Sequence, residues 1–357
     1  MKKITMLSTL PPIKGLSPYT LGLVKELSKH VKINFIGFKS IYPEFMYPGG
    51  TKDLSQKKPK IKNLRNKSFL TWYNPISWIK AGLTCEGKVV HAQWWAWPLA
   101  PIYLIVLSLA KLNKKKIIMT IHNVKPHEKS FFKNLLNKSV LSLADEYIVH
   151  NENNKLLFIS ESKTKKKIYV IPHGIIEIEK PKENKKQLRK KYDFKQKEKI
   201  ILFFGTIRPY KGLDLLIKTM KYLQGYKLII AGKPWESFEK YQNLINKNNL
   251  ESQIVKMLKF VSNKELAELL TLCDVVIFPY KEFEASSGAA ATALPFNKPL
   301  VVTNVGGLTE ITQKKEFITN PDPYEIAKTV KKLKSNYNFK ESEFSWKNIA
   351  RKTIEVY

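Results

Sequence analysis

The chain has 357 residues, 43% of them hydrophobic: too apolar for a disordered protein and too long for one ordinary α/β core, so two domains are expected. With 62 Lys and Arg against 30 Asp and Glu, its net charge of +32 implies an anionic partner. Nucleic acid, an anionic membrane surface and a phosphorylated small molecule all satisfy that charge.

The opening "MKKITMLSTLPPIKG" has lysines but too short an apolar run and no small-residue cleavage site, so it reads as a first strand, not a signal peptide. Its loop, "TLPPIKGLSPYT", offers Gly15 for close backbone approach to an anion, then Ser17 as N-cap and Pro18 at the first helical position. An ordinary tight turn explains the same residues. Apolar runs then recur as "VKINFIGF", "KVVHA", "KIIMTIH", "EYIVH" and "IYVIPHG". Continuous rather than alternating apolar runs suit parallel strands covered on both faces.

Between Lys39 and Glu86 lies the aromatic cluster "FLTWYNPISWI", followed by "HAQWWAWPLAPIYLIVLSLAKLNKKK". Its longest apolar stretch, Trp97 to Leu112, is shorter than the roughly 20 residues that span a bilayer. Tryptophans beside an apolar segment and a lysine cluster fit either a surface dipping into an anionic membrane interface or an aromatic core helix. His91, His122, His127, His150 and His173 all fall at or just past expected strand ends. Cys85 and Cys273 lie far apart in apolar surroundings, so no disulfide framework is expected and a reducing, cytoplasmic compartment is the default.

Residues 177–199 are dense in charge and lack an apolar stripe, as a solvated connection followed by a short surface helix would. Strand-like runs resume as "KIILFFG", "YKLIIAG", "IVKMLKF", "VVIFPY" and "PLVVTN". The expected organisation is a first domain over 1–178, a charged linker over 179–199 and a second domain over 200–336. A final helix in 337–357 would pack back on the first domain. The fold class is α/β, with two Rossmann-like doubly wound domains in tandem and a cleft between them.

Two loops of the second half carry unusual residues. In "FFGTIRPYKG", Arg208 and Lys211 sit between a strand end and a helix marked by Leu213, Leu216, Ile217, Met220 and Leu223. Guanidinium, ammonium and helix N-terminus would converge there on a phosphate, where the bland alternative is two solvated cations. In "PYKEFEASSGAAATAL", Ser286, Ser287 and the Gly288 amide would point outward from a helix start whose alanines permit close approach. Gly306, Gly307 and Glu310 follow the next strand.

"GTIRPYKGLDLLI" and "SGAAATALPFNKPLVVTNVGGLTEI" together resemble the nucleotide-sugar-binding half of family-four retaining glycosyltransferases of the GT-B fold, in the variant with the IRPYKG loop. "TIHNVKPHE", "HAQWWAW" and "FSWKNIARKTIEVY" are similar to that family's first domain and terminal helix. The resemblance implies retaining, metal-independent sugar transfer from a nucleotide-diphosphate sugar, with no resident cofactor. The acceptor expected is a glycan or, if the aromatic and lysine-rich segment meets a membrane, a lipid-linked sugar. It implies that Arg208 and Lys211 hold the diphosphate, that His122 faces the donor sugar with His127 and His173 as neighbours, and that Glu284 contacts that sugar. Gly15 would bring the first domain's loop to the sugar or phosphate. Two positions depart from the pattern: Thr206 stands where an arginine is usual, and Thr292 stands where a second glutamate holds the ribose. Lysines scattered over helices and linker, without a nucleic-acid-binding signature, argue against a nucleic-acid-binding protein. A phosphorylase lacks a candidate cofactor lysine, and an epimerase would have only Glu284 and Glu310 for proton abstraction.

Overall fold

The computed structural model describes residues 1–43, 50–53, 56–124, 131–282, 287–312, 314–333 and 338–357. The chain divides into two units, the first holding Met1–Gly174 and Ser342–Tyr357, the second Ile175–Phe283 and Ser287–Glu341.

In the first unit β1 (Lys3–Ser8), β2 (Lys32–Ser40), β3 (Leu64–Thr71), β4 (Val89–Trp94), β5 (Lys116–Ile121), β6 (Glu146–Val149) and β7 (Ile168–Val170) make one parallel sheet in the order 3-2-1-4-5-6-7. Its helices are α1 (Ser17–Leu27), α2 (Pro75–Leu83), α3 (Ala100–Leu112), α4 (Phe131–Ser142) and α5 (Glu152–Ser162). Parallel strands need crossovers, and helices on both faces bury both sides of the sheet. Alternate strand residues therefore enter two separate cores. Leu7, Val90, Ala92, Ile117, Met119 and Ile121 pack beneath α2 and α3. Ile4, Met6, Val89, Ile118 and Ile148 pack beneath α1.

The second unit begins with α6 (Lys185–Lys191) and β8 (Lys199–Phe204), then α7 (Leu213–Thr219), β9 (Tyr226–Ala231), α8 (Glu239–Lys247) and β10 (Ile254–Met257). It continues with α9 (Asn263–Leu272), β11 (Val275–Phe278), α10 (Gly288–Ala293), β12 (Leu300–Thr303), α11 (Leu308–Ile311), β13 (Ile318–Thr319) and α12 (Pro323–Lys331). The sheet runs 10-9-8-11-12-13 and is again parallel. Each unit thus has a Rossmann-like order that reverses beside its first strand.

Several local expectations are corrected. Ser17 does not cap α1: Leu16 already has helical backbone angles, so Ser17 is the first helical residue and its buried hydroxyl has no hydrogen-bond partner. Residues 179–199 are not simply a solvated connection. Arg189 is buried and donates to the carbonyls of Leu272 (3.3 Å), Gln196 (2.6 Å) and Glu198 (3.0 Å) while pairing with Asp274 at 2.7 Å. Lys191 and Tyr192 both reach the buried Glu268, at 2.6 and 2.7 Å. These contacts fasten α6 to α9 within the second unit. The apolar stretch after Trp97 is core: α3 buries Ala100, Ile102, Tyr103, Val106, Leu107 and Ala110. No helix among the described residues is long and apolar enough to cross a membrane.

The last helix, α13 (Trp346–Val356), is part of the first unit and buries Ile349, Ala350, Thr353 and Val356 in the core beneath α1. Ser345 caps it through the Asn348 amide, 3.4 Å away. Trp346 lies flat on two glycines, Gly22 of α1 and Gly174, leaving no room for a methyl group on either. Replacement Gly22→Ala drives a Cβ into the Trp346 indole. It should cost about 1–3 kcal/mol in chemical denaturation. An unchanged midpoint would show that α13 does not need this contact.

Candidate functional site

In an open parallel sheet the ligand end lies beyond the strand C-termini, at the point where strand order reverses. In the second unit that point is between β8 and β11. Chain leaving β8 turns at Gly205, φ +107°, and at Gly212, φ +68°, conformations that favour glycine. A Cβ on Gly212 would also collide with the Pro279 carbonyl beyond β11. Between these turns, Pro209–Lys211 form one 3-10 turn with Arg208 immediately before it.

That turn buries Lys211, which is 7% exposed. Its Nζ lies 3.4 Å from Thr206 Oγ1 and 5.7 Å from the centre of the Tyr280 ring. A Cβ on Gly205 would stand 3.1 Å from the ammonium and 4.0 Å from Ala289 at the start of α10. Burial, helped by the nearby Arg208 charge, lowers the Lys211 pKa to about 8. Among the described residues no carboxylate pairs with it, and Asp214 on the adjacent helix is held by Lys281 at 2.7 Å. Arg208 stacks its guanidinium on Trp235, 3.8 Å from the ring centre, because Ile207 bridges to Pro234 beyond β9. Stacking uses the guanidinium face and leaves its in-plane donors for an anion.

The helix start beside these cations is built differently from the sequence expectation. Ser287 is buried, not outward-facing: its hydroxyl caps α10 by accepting from the Ala290 amide at 3.2 Å. It also bonds the buried Tyr280 side chain. Gly288 is half-buried, with Ile176 at 3.5 Å from a hypothetical Cβ, so packing does not demand glycine there. Thr292 donates to the Gly288 carbonyl at 2.8 Å, so its hydroxyl proton is committed to its own helix. Glu284, Ser286 and His127 lie outside the described residues. Sequence reasoning missed Tyr280 and Trp235; each follows a strand of this sheet, the signal that could have found them.

The first unit gathers four of the expected histidines. Period-two alternation puts Val89, His91 and Gln93 of β4 on the face beneath α1 and α13, together with Ile118, Thr120 and His122 from β5, and Ile148 and His150 from β6. Tyr19 of α1 covers them, its ring centre 4.8 Å from His122, 5.1 Å from His150 and 4.9 Å from His173. One chain of contacts runs from Tyr357 OH to His91 Nδ1 (2.7 Å), from His91 through Gln93 to His122 Nε2, and from His122 Nδ1 to His150 Nε2 (3.1 Å). It ends where His150 Nδ1 meets the Ile171 carbonyl at 3.0 Å.

A carbonyl only accepts, so His150 donates to Ile171 from Nδ1, and its Nε2 then accepts from His122 Nδ1. The carboxamide is placed with Gln93 Oε1 2.6 Å from His122 Nε2 and its amide nitrogen 3.2 Å from His91 Nε2. For every ring to be neutral, His122 Nε2 must instead accept from the amide nitrogen, so oxygen and nitrogen exchange places. With the amide oxygen on His122 Nε2, one of His122 and His150 would have to be an imidazolium, which burial opposes. Both nitrogens of His122 are thus occupied, and neither is open to a sugar hydroxyl in this arrangement. His173 donates to the Gly174 carbonyl at 2.7 Å. Gly15, φ +80°, is exposed in the loop between β1 and α1 with no atom within 4 Å of a hypothetical Cβ.

Residues 184–353 match the family model described as Glycosyl transferases group 1. An uncharacterised glycosyltransferase of Methanocaldococcus jannaschii is 25% identical, over 99% of this chain and 97% of that protein. A GDP-mannose:glycolipid 4-beta-D-mannosyltransferase of Xanthomonas campestris is 31% identical, over 28% of this chain and 29% of its own. The family model and the relatives support a GT-B glycosyltransferase. Its fold is shared with Anabaena HepE in complex with UDP and glucose, at 14% identity and a TM-score of 0.71 over 100% of this chain and 99% of that one. Sucrose-phosphate synthase from Thermosynechococcus elongatus gives 16% identity and a TM-score of 0.68 over 100% of this chain and 94% of that one. The likenesses to these two structures show the fold, and the family model with the relatives indicates sugar transfer from a donor.

Burial lowers the pKa of His91 and His150 to about 3 and of His173 to about 4, and holds His122 well below its ordinary value. An unfolded chain therefore binds protons that the native chain refuses, between pH 6.5 and about 3. Stability carried by the neutral histidines is complete above pH 6.5 and falls on acidification, by about 2 kcal/mol per histidine at pH 5. Denaturation from pH 7 to pH 4 should show this loss, and His150→Gln should flatten the slope. A pH-independent midpoint would exclude a neutral cluster.

Proposed function

We propose that the protein transfers a sugar from a nucleotide-diphosphate donor to a glycan or lipid-linked acceptor, with retention of anomeric configuration. The observation that carries this reading is Lys211: a buried ammonium at the switch point of the second sheet that donates to the Thr206 hydroxyl 3.4 Å away and, among the described residues, pairs with no carboxylate. A desolvated cation without a carboxylate is costly unless an anion completes it. Arg208, stacked on Trp235, supplies the second positive charge in the same loop.

As the glycosidic bond breaks, negative charge grows on the leaving diphosphate oxygen. Fixed cations in a water-poor site favour that charge more in the transition state than in the ground state. Lys211 and Arg208 are assigned this role, which in other transferases falls to a divalent metal. Gly15 has an open backbone suited to approach by a sugar or phosphate. His122, with both nitrogens engaged, supports the first unit's histidine cluster beneath Tyr19 rather than contacting the sugar. Glu284 keeps the donor-sugar role that the resemblance implies. UDP occupies a structural neighbour, HepE, and is the first nucleotide to test.

Thermal-shift titration with UDP, GDP and ADP should raise the melting temperature with at least one of them. Lys211→Ala and Arg208→Ala should each weaken that binding by about 2 kcal/mol or more, roughly 30-fold. An undiminished shift in both variants removes the cations from the site. Because the free Lys211 ammonium titrates at about 8, affinity should fall as pH rises through that value. Lys211→Arg should abolish this fall. Donor turnover should survive chelation by EDTA, and inversion at the transferred anomeric carbon, read by NMR, would overturn the retaining assignment.

A further inference from the structure

We infer that the outer face of α2, with Trp72 and Tyr73 leading into it, docks on an anionic lipid bilayer. This inference goes beyond the donor chemistry and does not rest on it. Helix α2 has two opposed faces. Ser77, Ala81 and Gly82 are buried, and Gly82 is so close to α3 that an added Cβ would stand 2.6 Å from Leu109. On the other side Ile76 is 75% exposed, Ile79 45% and Leu83 61%, spaced as one stripe along the helix. Trp72 at 40% and Tyr73 at 61% extend that stripe beyond the N-terminus, their rings 5.3 Å apart. Leu112, 78% exposed, ends α3 one turn past the Leu109 contact. Single exposed apolar residues are ordinary, but five on one short helix and its lead-in form a patch that asks for a partner.

Charge chooses the partner. Residues 54–85 contain seven Lys and Arg (Lys57, Lys58, Lys60, Lys62, Arg65, Lys67 and Lys80) and no Asp or Glu. Arg65 and Lys67 lean on Glu86, and Lys80 sits on the face itself, its Nζ 5.4 Å from the centre of the Phe69 ring. Two copies meeting through this surface would bring like charges together, with only Glu86 among them, a carboxylate already held by Lys3, Arg65 and Lys67. An anionic bilayer instead accepts every part. Isoleucines and Leu83 enter the acyl boundary, the Trp72 and Tyr73 rings suit the headgroup level, and lysines reach the phosphates.

The test uses the full chain with vesicles of phosphatidylcholine alone and with phosphatidylglycerol added. The protein should sediment with the anionic vesicles, release at high salt, and ignore the neutral ones. Ile76→Glu/Ile79→Glu/Leu83→Glu should lower partition by about tenfold or more. Its melting temperature should stay unchanged, since all three side chains are exposed. If that variant fails to fold, Trp72→Ala/Tyr73→Ala should lower partition instead. Retained nucleotide binding by the triple variant separates this face from the donor site. Absence of sedimentation by the unaltered chain, or undiminished sedimentation of the folded variants, overturns the inference. A dimer in light scattering that the triple variant dissociates, without vesicle binding, would assign the face to a second copy.

Discussion

A buried ammonium is tolerated only where the surrounding chain forces it there and something else repays the lost hydration. At Lys211 the forcing is visible. Gly205 and Gly212 bracket a single tight turn, the Pro279 carbonyl closes on the second of them, and the start of α10 closes on the first. Strand order reverses between β8 and β11, and the loops after these two strands meet there, with Lys281 donating its backbone amide to the Tyr210 carbonyl at 2.7 Å. The lysine is delivered to that point by backbone geometry, not by pairing.

Comparison with Arg189 shows that burial of a cation in this unit need not mean binding. Arg189 is 3% exposed, yet three carbonyls and Asp274 satisfy its guanidinium. It completes the join between α6 and α9 and needs no ligand. Lys211 has one hydroxyl at the outer limit of a hydrogen bond. The same unit thus contains a buried cation paired with a carboxylate and a buried cation with no carboxylate partner among the described residues. The large net charge of the chain distinguishes neither.

The first unit solves a related problem with neutral groups. One histidine within β4 and three just beyond β5, β6 and β7 gather on one side of the sheet, and each ring nitrogen that is bonded meets a partner from another strand or its end, from Gln93, from Tyr357 or from the backbone. The single orientation of Gln93 that satisfies all of them as neutral rings makes the polarity of the chain continuous from Tyr357 to Ile171. Helix α13 supplies the last member of that chain and lays Trp346 against Tyr19, 5.3 Å between ring centres. Tyr357 is therefore part of the floor of this unit, and the acid sensitivity of the cluster is shared by the helix that closes it.

The sequence by itself determined the α/β class, the eleven strands whose apolar runs are continuous, and the placing of Arg208 and Lys211 at a strand end. Continuous burial on two faces leaves that mark in any parallel sheet. It did not disclose β3, an edge strand whose Arg65, Asn66 and Lys67 interrupt the pattern because one side meets solvent, nor β13, which is two residues long. Tertiary structure alone decided that Lys211 is dry, that Ser287 and Thr292 spend their hydroxyls on α10, that Arg189 is an anchor, and that α3 is core while α2 carries the exposed apolar stripe. It also joined His91 to a tyrosine 266 residues away. Periodicity records which face of an element is buried. What covers that face, and whether a buried charge finds its partner, depends on residues that only folding brings together.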